Sequence, residues 1–319
     1  MVNQLEIINK LKSAQRVAII SHICPDGDAV GSSLALYKAL KIDNKLVEVF
    51  LCDGVPSTYA FLPNSENVKK EYKQQDIFDV AVVLDSGDIN RIGSCASILN
   101  STKYVINIDH HSTGIPFGEI SLVEPHACST GEIIYRLIKM YGLDIDKEMA
   151  ECLYVAIATD TGGFRFSNTT GIAMQVASDL INCDIDVSDI SRRIFDISSF
   201  AKVKLMGEAI HSLEIYEEKI AVMYIKNEEI LKINALSEDF DGIINVARNI
   251  NGIEVAVFFV EKEPNEIKVN LRSNSIFDVA QIAQKFSGGG HKRAAGCRFS
   301  NTSIEDAKAE IIKEILKTL

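Results

Sequence analysis

Five carboxylates and three histidines stand where apolar runs end in the first half of a 319-residue chain. They fall in four segments: His22-Ile-Cys-Pro-Asp26-Gly-Asp28, then Asp85 after Val80–Leu84, then Asp109-His110-His111, then Asp160 in Ala158-Thr-Asp-Thr-Gly-Gly163. Oxygen ligands mixed with imidazole nitrogens suit a pair of first-row divalent cations, and such a pair suits hydrolysis. The Asp26-Gly-Asp28 spacing lets two carboxylates diverge from one turn toward different metals. Asp85 and Asp160 are the expected bridging carboxylates, because cations about 3.5–4 Å apart need shared oxygen ligands. Without cations, crowding of Asp26, Asp28, Asp85 and Asp160 would raise their proton affinities. A lone Asp after a strand is ordinarily a cap or turn residue. Four such segments in one order argue for a site.

A second signal lies near the other end, in Ser287-Gly-Gly-Gly-His-Lys-Arg-Ala-Ala-Gly296. Consecutive glycines leave backbone N–H groups free to turn toward an anion with no side chain in the way. Gly289, Gly290, His291 and Arg293 are the expected contacts, the last two adding hydrogen-bond donors.

The elements that must position these groups follow from apolar spacing. Val17–Ser21, Leu46–Cys52, Val80–Leu84 and Tyr104–Ile108 are continuous apolar runs of strand length. Helical spacing over Gln4–Leu11, Asp28–Leu40, Thr130–Tyr141, Lys147–Ala158 and Ala173–Leu180 surrounds them. This pattern predicts an α/β fold with a doubly wound, mostly parallel sheet covered on both faces. Ser129 or Thr130 with Glu132 close behind is expected to start the helix at 130, without the spacing of a capping box. Asp186–Phe195 and Phe200–His211 read as helices crossing between domains. From Ser212 the texture changes to strands at Ile220–Ile225, Glu254–Val260 and Ile267–Arg272, with helices at Gly242–Ile250 and Ser303–Leu319. The expected organisation is a metal-binding catalytic domain at 1–185, a helical linker at 186–211 and a smaller α/β substrate-binding domain at 212–319. The active site would lie in a cleft between the two domains.

A net charge of −11 argues against a protein that coats long duplex nucleic acid, which needs a basic face. Seven scattered cysteines, never spaced Cys-x-x-Cys, point to reduced thiols and a cytoplasmic setting. There is no signal-peptide pattern at the start, and no run of about 18 apolar residues to span a membrane. A homodimer formed through the first domain's helices is compatible with the sequence, which contains nothing that specifies it.

The four acidic segments resemble the motifs of the DHH phosphoesterase superfamily, named for the triplet that stands here as Asp109-His110-His111. The glycine segment resembles the signature of that family's associated C-terminal domain, so the resemblance covers nearly the whole chain. It implies that His22, Asp26, Asp85 and Asp160 hold one cation, and Asp28, Asp85, His110 and Asp160 the other, manganese being the family's usual metal. By the same resemblance His111 contacts the scissile phosphate or helps protonate the leaving oxygen, with Asp109 orienting a histidine. Arg272 is implied to contact the substrate's terminal phosphate or base. The catalytic set is then His111, Asp85 and His110. The implied activity is a two-metal phosphoesterase acting on di- to pentaribonucleotides and on 3′-phosphoadenosine 5′-phosphate. A stand-alone phosphodiesterase of cyclic-di-AMP or linear dinucleotides shares these motifs, and a non-catalytic nucleotide sensor is the alternative of another class. No motif assigns roles to His126 or Arg165.

Overall fold

In a computed structural model the described residues are 2–72, 77–112 and 114–319, with the side chains of Val2 and His291 outside the description. The chain divides into two compact units, Met1–Ile197 and Ser198–Leu319.

In the first unit the elements run α1 (Val2–Ser13), β1 (Arg16–Ile20), α2 (Gly27–Ile42), β2 (Leu46–Phe50), β3 (Val68–Lys69), β4 (Val80–Leu84), β5 (Val105–Asp109), β6 (Ile120–Val123), α3 (Thr130–Tyr141), α4 (Lys147–Asp160), α5 (Gly171–Ile181) and α6 (Val187–Ser191). The six strands form one parallel sheet in the order β3-β2-β1-β4-β5-β6. Strand order reverses between β1 and β4, which pair directly. In an open α/β sheet the crevice at that switch, beyond the carboxyl ends of the strands, is where ligands bind.

One sheet face buries Val17, Ile19, Val82, Leu84 and Ile108 against the helices. The other buries Ala18, Ile20, Phe50, Ala81 and Val83 under Ile92, Cys95 and Ile98. The covering on that second face is a run of 3-10 turns, Ile89–Ser101, where the sequence had suggested another helical layer. Gly93 breaks the run with φ 58 and ψ −139, close against Ile23 and Cys52, where a Cβ would not fit. Pro, Gly and polar residues made β6 and this segment hard to read, because neither carries an apolar run of helix or strand length.

The second unit contains α7 (Phe200–His211), β7 (Glu214–Tyr216), β8 (Ile220–Ile225), α8 (Asn227–Ile233), α9 (Ile244–Arg248), β9 (Val255–Glu263), β10 (Glu266–Ser273), α10 (Val279–Lys285), β11 (Gly289–His291), β12 (Ala294–Ser300) and α11 (Ile304–Leu316). Its sheet has the order β11-β12-β10-β9-β8-β7 and is antiparallel except where β8 meets β9. One face packs Val257, Phe259, Val269, Leu271 and Cys297 against α10 and α11. On the other, Met223, Ala256 and Phe258 pack against Leu205 of α7 and Ala247 of α9. Beyond those helices, over β10 and β12, that second face is open.

Candidate active site

Each chemical segment is fixed by backbone rules before any cation is considered. Asp26 is the N-cap of α2, its Oδ1 accepting from the N–H of Asp28 at 3.1 Å and of Ala29 at 3.0 Å. Asp28, one residue into the helix, is fully buried and points at the start of α3. Its carboxylate accepts from Thr130 N at 2.7 Å and Gly131 N at 2.8 Å, two of the N–H groups a helix start leaves unpaired. Gly131 has to be glycine, since a Cβ there would lie 2.5 Å from Ala156 and 3.3 Å from the Asp28 carboxylate. Ser129 caps α3 by accepting from Glu132 N, and the Glu132 carboxylate reaches back to Cys128 N at 3.0 Å. Ser129-Thr-Gly-Glu132 thus has capping-box spacing, counted from Ser129 and not from Thr130, although its return bond lands one residue early.

Asp85 follows β4 with φ 56, a left-handed conformation that costs a non-glycine residue on the order of 1 kcal/mol. It is locked there by its N–H donating to Ile108 O at 2.9 Å and by Thr130 Oγ1 donating to its Oδ1 at 3.1 Å. The consequence is a carboxylate facing two ways. Oδ2 lies 3.4 Å from His22 Nε2, while Oδ1 lies 3.6 Å from His110 Nε2 and 3.7 Å from His111 Nδ1. His110 Nε2 also approaches Asp160 Oδ2 at 3.2 Å and Asp28 Oδ2 at 3.8 Å. Asp109 accepts from the His110 N–H at 2.9 Å and from His111 Nδ1 at 2.7 Å, which puts a proton of His111 on Nδ1.

The donor atoms gather into three overlapping groups with all members within 4.8 Å: His22, Asp26 and Asp85; Asp85, His110 and His111; and Asp28, His110 and Asp160. Asp85 joins the first two groups, while Asp160 falls with Asp28 and His110. The four segments therefore meet at the β1/β4 switch, as their order in the chain led us to expect.

The electrostatics describe a site short of positive charge. Burial, then the charges of Asp85 and Asp160, push Asp28 well above the usual carboxylate range. Burial, then Asp85 and Asp26, push Asp160 up to about 8. Asp160 is the last residue of α4, where the negative end of the helix adds to the repulsion. Burial disfavours a charged His22, but hydrogen bonds to Asp26 and Asp85 prevail and push it up to about 10. The same contact holds Asp26 below its ordinary range against the opposing effect of burial. The bond to Asp109 raises His111. Crowded carboxylates that favour protons favour divalent cations for the same reason, and oxygen donors with two or three imidazoles form a fitting set.

Sequence reasoning passed over several supports. Cys128–Glu132, read from the sequence as a helix start, anchors Asp28 and Asp85 through Thr130 and Gly131. Asn168 donates to Cys128 O at 3.0 Å and Asp160 O at 3.1 Å, tying the ends of two motif segments together. Arg91 lies close enough to His111 to oppose its protonation, and its carbonyl accepts from Ile23 N at 2.7 Å. Arg165 donates from Nε to Gly162 O at 2.5 Å.

In the second unit, a concavity of about 680 Å³ lies on the open face of β10 and β12. Lys268, Asn270 and Arg272 alternate along β10 and face it, and Lys268 stands opposite Arg298 in register. The period-2 alternation of Lys268, Asn270 and Arg272 was the available signal for Lys268. Gly288, Gly289 and Gly290 line the same concavity. Gly289–His291 nevertheless forms strand β11, paired with Gly296–Ala294, so this stretch is a hairpin edge and not the open loop expected. Two of the three consecutive glycines are required by packing: a Cβ on Gly288 would lie 2.2 Å from Gly296 O, and one on Gly290 would lie 2.5 Å from Ala294 O. Only at Gly289 is the added space open. Arg293 is turned into the structure, donating to Phe277 O at 3.1 Å, and does not line the concavity. The backbone of His291 is described; its side chain lies outside the described residues.

Comparisons with known proteins agree with this layout. Residues 16–157 match the model of the DHH family, N-terminal domain, and residues 217–319 match the DHHA1 domain. The bifunctional oligoribonuclease and PAP phosphatase NrnA of Thermus thermophilus is 31% identical over 95% of this chain and 90% of its own. Its namesake from Bacillus subtilis is 28% identical over 91% of both. A crystal structure of an exopolyphosphatase-related protein from Bacteroides fragilis superposes with a TM-score of 0.92 at 30% identity, covering 99% of this chain and 96% of that one.

Proposed function

Because this chain belongs to the DHH family of phosphoesterases, we propose that it hydrolyses short oligoribonucleotides to mononucleotides and 3′-phosphoadenosine 5′-phosphate to AMP. The observation that carries the reading is that Asp85 faces His22 with one carboxylate oxygen and His110 with the other, with Asp160 joined to the group through His110. The named relatives, similar over nine-tenths of their length, support the substrate class.

In this reading His22, Asp26, Asp85 and Asp160 hold one divalent cation, and Asp28, Asp85, His110 and Asp160 the other. Manganese is the expected metal for so oxygen-rich a set. When bound, the cations lower the proton affinity of water and draw charge from the phosphate oxygens. His111, fixed by Asp109 and favoured in its doubly protonated form by that bond, can hand a proton to the leaving oxygen. Arg91 adds positive charge beside it. In the second unit Arg272, Lys268 and the backbone at Gly289 and Gly290 bind the phosphate of the nucleotide. Arg293 supports that floor from below. The same reading places the activity in the cytoplasm. Among the described residues, no helix is long and apolar enough to cross a membrane.

The deciding experiment is a manganese-supplemented substrate panel: di- to pentaribonucleotides, 3′-phosphoadenosine 5′-phosphate, cyclic-di-AMP, pyrophosphate and a long single-stranded DNA. Short ribonucleotides and the bisphosphate should lead. Preference for cyclic-di-AMP would move the protein to the alternative phosphodiesterase reading, and preference for the long DNA would end the short-substrate reading.

A further inference from the structure

A small lobe opens from the basic concavity of the second unit and shares Lys268, Asn270 and Arg272 with it. Its volume is about 60 Å³, room for a few waters or for a hydroxyl-bearing edge of a ligand. Phe258 and Val260 give it an apolar wall, and Asp241 is its acid. The segment that carries Asp241 is held firmly. Asp239 caps the preceding turn by accepting from Leu236 N at 2.8 Å and is hydrogen-bonded by Ser199. The Asp241 N–H donates to Glu238 O at 3.2 Å.

Asp239 is therefore spent on structure, whereas the Asp241 carboxylate makes no hydrogen bond or ion pair among the described residues. Burial raises its proton affinity, and the charges of Lys202, Lys268 and Arg272 oppose that rise. Among the described residues the Arg272 guanidinium likewise reaches only its neighbour's carbonyl, donating to Leu271 O at 3.0 Å. An acid and a guanidinium line one lobe without pairing. The space between them suits a molecule that donates to the first and accepts from the second. A carboxylate repels phosphate, so its ligand must be a hydrogen-bond donor. A ribonucleotide offers this combination on adjacent carbons, a 2′-hydroxyl beside a 3′-phosphoryl oxygen. Carboxylates read ribose hydroxyls in this way in other nucleotide sites.

We propose that this lobe is a ribose-reading subsite, in which the Asp241 carboxylate accepts a hydrogen bond from the 2′-hydroxyl of the nucleotide whose neighbouring phosphate is held by Arg272 and Lys268. The subsite deepens the nucleotide-hydrolase reading and rests on it for its substrate. Asp241 discriminates RNA from DNA; it takes no part in bond cleavage.

The test compares a diribonucleotide with its 2′-deoxy counterpart, using the full chain with manganese and the variants Asp241→Ala and Asp241→Asn. Wild type should favour the ribonucleotide in kcat/KM by roughly tenfold or more, since a hydroxyl bonded to a carboxylate is a strong discriminator. Asp241→Ala should bring the ratio close to one through KM, leaving kcat on the deoxy substrate unchanged. Asp241→Asn should keep part of the preference, because its carbonyl oxygen still accepts. An unchanged ratio in Asp241→Ala, or an equal loss on both substrates, overturns the proposal. Equilibrium binding of the same pair to metal-free protein separates this inference from the catalytic one. If wild type cleaves neither nucleotide, the hydrolase reading falls, while a ribose preference in binding that Asp241→Ala removes still upholds the subsite. No ribose preference in wild-type binding or turnover ends it.

Discussion

The two units treat charge in opposite ways. In the first, Asp28, Asp85 and Asp109 are at most 1% exposed and each accepts hydrogen bonds from fixed donors. In the second, Lys268 and Arg298 are exposed side by side on an open sheet face. Buried, over-determined carboxylates make a geometry that cannot drift, which is what placing cations and a reacting phosphate within tenths of an ångström demands. Exposed cations on a sheet supply attraction that tolerates different substrates, weakened by salt. Unfolding tendencies differ accordingly. The first unit stores buried like-charge repulsion that only protons or cations relieve, whereas the like charges of Lys268 and Arg298 lie exposed, where solvent screens them.

The contrast breaks most visibly at Asp85. Asp85→Ala should lower hydrolysis by on the order of a thousandfold or more on every substrate, with circular dichroism showing the fold retained. A variant that keeps nucleotide binding and never had turnover to lose would mark a sensor instead. Next in size is the response to metal. Saturating manganese should raise the melting temperature of the first unit by about 5–10 °C, as expected for ligand at a hundred times its dissociation constant, and leave the second unit's transition in place. Scanning calorimetry with and without chelator reads both at once.

The pH dependence sharpens the same point. Asp160 is raised from 3.8 to about 8, so its contribution to stability is fully present below about pH 4 and is lost as the pH climbs through 8. His22, raised from 6.5 to about 10, contributes in the same sense and loses its share between those values. The metal-free first unit should therefore melt at progressively lower temperature from pH 5 to pH 9, and manganese should flatten that slope. A metal-free melting temperature that rises across this range would contradict the crowded-carboxylate description.

Smaller effects should distinguish an arginine of the basic face from one turned into the structure. Arg272→Ala should raise KM about tenfold with little change in kcat, an effect that shrinks in high salt. Arg293→Ala should instead cost roughly 1 kcal/mol of the second unit's stability, with KM nearly unchanged, because its guanidinium bonds Phe277 O. Urea melts beside Michaelis curves separate the two arginines.

Much of this was legible in the sequence where apolar runs were long and uninterrupted. Val80–Leu84, Thr130–Tyr141, Phe200–His211 and Ile220–Ile225 have the bounds that spacing suggested. The acids and histidines could be gathered because each ends such a run. What stayed hidden depended on partners distant in the chain. Nothing near Asp28 says that Thr130 and Gly131, a hundred residues away, will donate to it. Glycines 288 and 290 read as freedom and turned out to be close approach, since the strand they meet, Ala294–Ser300, carries too many small residues to announce itself. Asp241 gave no signal, because one acid in a polar turn has no periodicity to break.

In the proposed reaction the buried carboxylates cut phosphate esters only through the cations they gather. The most direct measurement is hydrolysis of a triribonucleotide by protein stripped with chelator and then titrated with manganese. The stripped protein should show no turnover, and full recovery should come near two equivalents of metal per chain. Turnover that survives the chelator, or recovery that is complete at one equivalent, would contradict that reaction.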